Sequence, residues 1–153
     1  MRPPEGSRVV PADMVPSRKK GAMSMRAFNP AGVAGPFGSY SHGIEVESPM
    51  RLVFGAGQTG VDTDGRIGED IEEQSRLLWR NVEGVLGGAG MEISDIAQLT
   101  MMLVRREDLP IARAVREEVL AGHRPASTLQ FVAGLAHPDW LIEVDFVAAR
   151  SST

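Results

Sequence analysis

Hydrophobic residues recur along the chain with two periods, one typical of strands and one typical of helices. A period of two, with side chains alternating between two faces, occurs over residues 42–46 and 140–149 and predicts half-buried strands. Further strands are predicted over residues 51–57 and after Pro125, where β-branched and aromatic side chains are frequent. Residues 96–104 are apolar at nearly every position, which predicts a central strand buried on both faces.

Two segments between these strands have the spacing of amphipathic helices. Over residues 70–90 the apolar side chains fall on one helical face, Asp70 can cap the first turn and Gly90 can end the last. The second helix is predicted over residues 108–120, with Asp108 as its cap. The first two strands are separated by a Ser-Pro turn and are predicted to form an antiparallel hairpin. The order ββαβαββ predicts an α+β domain with both helices on one face of a mixed sheet.

The last predicted strand has one wholly apolar face and one mixed face. The apolar face carries Trp140, Ile142, Val144, Phe146 and Ala148. The mixed face carries Glu143 and Asp145, and we expect it to point toward a partner or a cleft, with self-association as its simplest cover. Paired carboxylates can activate a water molecule, but they can equally be solvated charges on an exposed strand.

Length and charge divide the chain into two parts. The 153 residues suffice for one domain, and they include no cysteine, which excludes disulfides, thiolate chemistry and Cys-ligated metals. Net charge is −4, yet residues 1–26 hold six of the 16 basic and two of the 20 acidic residues. We predict a basic flexible extension over 1–26 and a domain over 27–150. The extension could be a nucleic-acid arm or a targeting segment; we favour a misassigned start, because Met14, Met23 and Met25 are further candidates.

Several classes of site are missing from the sequence. No apolar run is long enough to cross a bilayer and no secretory signal is present, so we expect a cytoplasmic protein. The three histidines lack metal-ligand spacing, so no metal site is predicted. No phosphate loop, dinucleotide fingerprint or Ser-His-Asp motif occurs.

Two polar segments could line a ligand pocket. The loop over residues 29–43 is rich in Gly, Pro and Ser and contains Tyr40 and Ser41 near its end; it could equally be a plain connector. On the strand after Pro125, Ser127 shares a face with Leu129, whereas Thr128 points to the other face. We predict that these two hydroxyl groups form the floor of a pocket.

Five short segments, spread over the whole domain, follow the order of the motifs of one known family. They are GSYSHG (38–43), AGQ (56–58), RNVEGVLGGAG (80–90), RPASTL (124–129) and LIEVDFVA (141–148). Together they resemble the YjgF/YER057c/UK114 superfamily, also called the Rid family, over about residues 29–150. Each motif alone is weakly specific, whereas the ordered set is specific.

The resemblance implies a chorismate-mutase-like fold and a homotrimer whose sheets line an inner barrel, with the helices outside. Clefts between neighbouring subunits would bind small carboxylates. Active members hydrolyse reactive imines or enamines, such as 2-aminoacrylate, to ketoacids and ammonia. The resemblance implies no metal or organic cofactor, and the expected partners are a small-molecule ligand and the other subunits, without membrane or nucleic acid.

The resemblance also implies roles for individual residues. The family's Gly-Pro-Tyr-Ser motif corresponds to residues 38–41, which would place Tyr40 and Ser41 in the cleft. Gly57 corresponds to a glycine that exposes its backbone to the ligand. Glu143 corresponds to a glutamate associated with the hydrolytic water, so the resemblance implies that Glu143 is catalytic.

The main departure from the family is Ser127. Active deaminases have an arginine at this position, which binds the substrate carboxylate as a bidentate pair. The segment reads Pro-Ala-Ser-Thr here, so Ser127 and Thr128 remain as candidate substrate-binding residues. Loss of a buried charged partner typically costs about 2–5 kcal/mol, or tens- to thousands-fold in affinity. Arg51 or Arg105 of a neighbouring subunit could compensate.

Two functions from different classes therefore remain open. The first is a cofactor-independent imine or enamine deaminase of altered specificity, with Glu143 holding the water. The second is a trimeric small-molecule-binding protein without turnover, a sensor or a carrier. Some relatives carry an endoribonuclease label, but the acidic body of this chain argues against that activity.

Overall fold

The computed structural model of the chain describes residues 25–32, 39–46 and 50–151. Within these residues it contains β1 (Met25–Phe28), β2 (Gly43–Val46), β3 (Met50–Thr59), α1 (Ile71–Gly88), β4 (Ile96–Leu103), α2 (Leu109–Leu120), β5 (Ala126–Phe131) and β6 (Ile142–Ser151). The predicted extension over 1–26 lies outside the described residues except for Met25 and Arg26, which belong to β1. No helix in the described ranges is long and apolar enough to span a membrane.

The main sheet has four strands in the order β3-β6-β4-β5. β6 pairs antiparallel with both β3 and β4, whereas β4 and β5 run parallel, so the predicted mixed sheet is confirmed. The predicted hairpin of β2 with β3 is wrong. β2 pairs with β1 instead, and β3 uses its ten residues to pair along β6 from Met50 opposite Ser151 to Thr59 opposite Glu143. Pairing of consecutive strands is a tendency only, and the long partner offers β3 more ladder bonds.

Both helices lie on the same face of this sheet, as the sequence predicted. The core contains side chains of α1, α2, β4 and β6, among them Leu78, Trp79, Val82, Leu86, Val115, Leu99, Met101, Val144 and Phe146. Asp70 caps α1 by accepting a hydrogen bond of 2.9 Å from the Glu73 amide. α2 ends at Leu120, where the next two residues have the left-handed backbone that stops a helix.

No helix within the described residues covers the opposite face of the sheet in a single chain. On β4, Leu99, Met101 and Leu103 are buried under the helices, whereas Gln98, Thr100 and Met102 on the other face are only half-buried. The prediction that this strand is buried on both faces is therefore wrong for the single chain. At the edge of the uncovered face, Leu52 is 51% exposed and Phe54 76% exposed. We call this surface the open face.

Candidate functional site

A cavity of about 320 Å³ lies between α2, the start of β5 and the residues before β2. Its polar lining residues are Ser39, Tyr40, Arg113, Arg116, Ser127 and Thr128, and Met101 and Leu129 complete it. Met101 belongs to the hydrophobic core and Leu129 packs against it. The cavity is therefore a polar opening at the edge of an apolar layer.

Arg116 enters this cavity from the buried side of α2. It lies four residues after Ala112 and four before Leu120, and both of these are buried, so the helix period turns Arg116 inward. The side chain is only 6% exposed. Its Nη2 donates to the Ser39 carbonyl oxygen at 2.6 Å, and its Nη1 donates to the Ser127 hydroxyl oxygen at 3.3 Å. Its buried Nε has no hydrogen-bond partner.

Arg116 has no ion-pair partner within the part of the chain that the structure describes. Among residues 25–32, 39–46 and 50–151, no carboxylate lies within ion-pair distance of its guanidinium. Burial lowers the pKa of Arg116, and nearby Arg113 lowers it further, whereas Glu117 acts in the opposite direction. An arginine nevertheless stays protonated in proteins. The cavity therefore has a positive potential.

Ser127 faces the helices rather than the open face. It is paired with Leu99 of β4, and the next residue on the same face, Leu129, packs against the core. Thr128 lies opposite Thr100 and points the other way, although at this edge strand it also borders the cavity. The structure thus brings Ser127 and Thr128 together with Tyr40 around one opening, where the sequence predicted the floor of a pocket.

Ser41 has a different position from its neighbour Tyr40. It is buried, its hydroxyl donates to the Arg124 carbonyl oxygen at 2.9 Å, and its amide donates to the Pro125 carbonyl oxygen at 3.3 Å. Ser41 does not line the cavity. Its contacts attach the segment before β2 to the start of β5, and this holds Tyr40 beside Ser127.

Glu143 and Gly57 meet on the open face. Glu143 lies on β6 opposite Met102 of β4 and Thr59 of β3. Gly57 lies in the irregular part of β3, and a Cβ atom there would collide with the Glu143 carboxylate. Glycine is therefore required for the observed position of this side chain. Within one chain, the sheet separates Glu143 from Arg116.

Sequence reasoning named other arginines as sources of positive charge. Arg51 donates to the Ala89 carbonyl oxygen at 2.6 Å, and Arg105 forms an ion pair of 2.8 Å with Asp108, so each is engaged within its own chain. Arg116 was missed. The sequence signal that could have found Arg116 is its position four residues after Ala112, on the apolar face of the second predicted helix. Within the described ranges, no group of three His, Asp or Glu side chains is placed to hold a metal ion.

Comparison with known proteins gives matches over most of the chain. The family model described as Endoribonuclease L-PSP matches residues 32–150. A RutC family protein of Pyrococcus abyssi is 31% identical, over 75% of this chain and 89% of that protein. The 2-iminobutanoate/2-iminopropanoate deaminase of Salmonella typhimurium is 30% identical, over 74% of this chain and 88% of the enzyme.

Solved structures match the fold as well. Escherichia coli TdcF with bound serine has a TM-score of 0.63 and 27% sequence identity, and covers 82% of this chain and 99% of its own. The Rid family protein YyfB of Yersinia pestis has a TM-score of 0.71 at 24% identity, covering 82% of this chain and 98% of its own. The second likeness shows the fold alone.

Proposed function

Because this chain belongs to the Endoribonuclease L-PSP family, the group also known as the YjgF/Rid superfamily, we propose that it hydrolyses small reactive imines or enamines. The observation that carries this proposal is the position of the Glu143 carboxylate on the open face, next to Gly57. Both residues lie in segments that resemble the family motifs. An enamine first tautomerises to its imine. Water then adds to the carbon of the C=N bond, the resulting C–N single bond breaks, and the products are a carbonyl compound and ammonia.

Glu143 acts as the base in this reaction. A carboxylate within hydrogen-bond reach of a water molecule can accept a proton as the water attacks, and it can return the proton to the leaving nitrogen. Glu143 is half-buried and its flanking positions on β6 are apolar and fully buried, so its backbone is held rigidly. Asp145, two residues on, occupies the same face and supplies a matched reference carboxylate.

A second copy of the chain completes the site. The cavity containing Tyr40, Ser127 and Thr128 opens on the helix side, whereas Glu143 lies on the open face. A small substrate inside one chain therefore cannot touch both, but a cleft between two chains in a trimer can. The exposed Leu52 and Phe54 support this assembly, because an apolar sheet edge of this kind is normally covered.

Ammonia release tests the proposal. Imines are generated in situ from several amino acids by an amino-acid oxidase, and wild type is compared with Glu143→Gln and the control Asp145→Asn. Loss of a general base typically costs about 10²–10⁴-fold in rate, so Glu143→Gln should lose at least 100-fold while Asp145→Asn changes little. Equal rates for wild type and Glu143→Gln would contradict the role of Glu143.

Gly57→Ala provides a second test that leaves the carboxylate in place. The new methyl group would displace the Glu143 side chain, and a shift of about 1 Å at a catalytic group can reduce the rate on the order of 100-fold. The matched control is Gly84→Ala, because a Cβ at this exposed helix position contacts nothing within 4 Å. An unchanged rate in Gly57→Ala would show that the observed Glu143 position is not needed.

Assembly is tested independently of turnover. We expect sedimentation equilibrium to give three times the 16.5 kDa chain mass for wild type. Phe54→Glu places a charge on the open face and should dissociate the trimer, with loss of ammonia release. A monomeric wild-type protein with full activity would overturn the shared site.

The alternative is a trimeric binding protein without turnover. Ser127 favours it, because the chain lacks the arginine that active deaminases have at this position. Saturable ligand binding with no ammonia release from any imine would establish this alternative. RNA cleavage by the full chain that Glu143→Gln abolishes would instead support an endoribonuclease.

A further inference from the structure

We propose that Arg116 of α2 binds the anionic end of the ligand, in place of the arginine that this chain lacks at position 127. The ligand class is accordingly a small carboxylate, such as an imino acid. This inference rests on the function proposed above, because it names the substrate class of that same site. In the family pattern the cation is an arginine at the position of Ser127 on β5, whereas here it is an arginine on helix α2.

The first support is that the Arg116 guanidinium is buried without a charged partner among the described residues. Arg116 is 6% exposed, and its two donor bonds go to the Ser39 carbonyl and the Ser127 hydroxyl, which are both neutral. A buried cation normally has a carboxylate or phosphate partner, since desolvation without one is costly. The buried Nε has no hydrogen-bond partner among the residues that the structure describes. A ligand carboxylate with two oxygens fits this forked donor.

The second support is the position of Ser127. Its hydroxyl oxygen accepts from Arg116 Nη1, which leaves the hydroxyl proton free to donate to the same ligand. Ser127 faces α2, so an arginine at this position would extend into the space that the Arg116 guanidinium occupies. Two guanidinium groups would therefore compete for this space if arginine stood at both positions.

The third support is the rest of the cavity. Arg113 also lines it, is exposed, and adds positive charge without a described carboxylate partner. Met101 and Leu129 supply an apolar part in a volume of about 320 Å³. The cavity thus suits a ligand with one charged end and a short, less polar remainder, as in small imino acids.

Direct binding tests the inference without depending on turnover. The probe is 2-oxobutanoate, with the neutral 2-oxobutanamide as its uncharged counterpart, and affinity for the full-length protein is measured by titration calorimetry. Wild type should prefer the acid. Arg116→Gln should weaken acid binding roughly 30-fold or more and leave amide binding little changed, because a buried charged partner is lost.

Two matched variants separate binding from packing. Arg113→Gln removes the same charge from the same cavity at an exposed position, so only a few-fold loss is expected. Arg116→Lys keeps the charge but not the planar fork, so it should retain part of the acid preference. A merely structural role for Arg116 would instead lower the affinity for acid and amide equally.

A positional exchange gives the sharpest test. Ser127→Arg alone should weaken acid binding, because two guanidinium groups then compete for one space. Combining Ser127→Arg with Arg116→Ser should recover at least about tenfold relative to Arg116→Ser alone, since the two sites are directly coupled. Each variant is checked for secondary structure by circular dichroism, and if Arg116→Gln does not fold, the Ser127→Arg result still decides.

The outcomes separate this inference from the proposed hydrolysis. Equal wild-type affinity for acid and amide, or an acid preference that survives Arg116→Gln, would overturn the inference even if ammonia is released. Stronger acid binding in Ser127→Arg alone would overturn it as well. Acid binding that depends on Arg116, without any ammonia release, would support the carboxylate site and reject the hydrolysis.

Discussion

Two arginines, Arg150 on β6 and Arg116 on α2, are both held by hydrogen bonds, but among the described residues only Arg150 has carboxylate partners. Arg150 on β6 donates to the carboxylates of Asp95 at 3.0 Å and Glu92 at 2.9 Å, and to the Gly90 carbonyl at 2.8 Å. Arg116 donates to two neutral oxygens and its Nε donates to none. Every side-chain nitrogen of Arg150 has a partner, whereas Arg116 has neither a countercharge nor a full set of acceptors among the described residues.

The two pKa values shift in opposite directions for this reason. The hydrogen bond that Arg150 donates to Asp95 raises the pKa of Arg150, whereas burial lowers the pKa of Arg116. A charge that is neutralised by an ion pair can stabilise the folded chain. A charge left unpaired in a cavity can bind a ligand, but it lowers the free energy of unfolding. The comparison indicates that the partners of an arginine, and not its burial alone, distinguish a structural arginine from one proposed to bind a ligand.

The largest predicted effect on stability is at Asp95, which is 2% exposed. Its carboxylate accepts from Arg150 and from the Glu92 amide at 2.8 Å. Asp95→Ala removes hydrogen bonds that involve a charged group, so the free energy of unfolding should fall by about 2–3 kcal/mol. Urea unfolding measures it, with Asp64→Ala in an exposed loop as the control. A loss no greater than that of Asp64→Ala would mean that Arg150 gains nothing from neutralisation.

Arg116→Met should have a smaller effect and the opposite sign. Replacing an unpaired buried cation by an apolar side chain of similar length removes a desolvation penalty, so stability should be unchanged or rise by about 1 kcal/mol. Carboxylate binding should be lost in the same variant. The measurement is again urea unfolding, combined with the calorimetric titration. A stability loss as large as that of Asp95→Ala would show that Arg116 is structural.

Local sequence signals predicted the helices and the faces of the last strand. Asp70 caps α1 as expected, because a cap depends on residues only three positions apart. Alternation along β6 correctly put Glu143 and Val144 on opposite faces, since a strand has a fixed period of two. These features depend on neighbours in the chain, so the sequence contains them directly.

Long-range contacts account for what the sequence did not show. The pairing of β3 with β6 joins Met50 to Ser151, and the cavity joins Arg116 to Ser39, which is 77 positions away. Arg116 lines this cavity only because the segment before β2 lies against it in the folded chain. The apolar stripe of α2 placed Arg116 inward, but no local pattern says what an inward side chain will meet.

The smallest predicted effect concerns an exposed arginine that is fully paired. Arg66 lies 2.7 Å from Glu73 and 3.3 Å from Asp62. The hydrogen bond from the Arg66 amide lowers the pKa of Asp62, and the hydrogen bond from the Arg66 side chain lowers the pKa of Glu73. Solvent screens such pairs, so their effect on stability should be small. Arg66 is therefore an arginine whose charge is neutralised at an exposed position.

The sign of the pH dependence follows from these lowered pKa values. A carboxyl group whose folded pKa is depressed contributes stability above its unfolded pKa, about 4, and loses it as pH falls through the folded value. Asp62→Asn should therefore lower the melting temperature by about 1–2 °C at pH 6, and by less at pH 3, because the contribution of a carboxyl group with a lowered pKa falls once pH is below its unfolded pKa. Scanning calorimetry at both values measures the difference. An equal difference at pH 6 and pH 3 would show that the contribution of Asp62 does not depend on its charge. Charge neutralisation would then stabilise this chain only where the carboxylate is buried, as at Asp95.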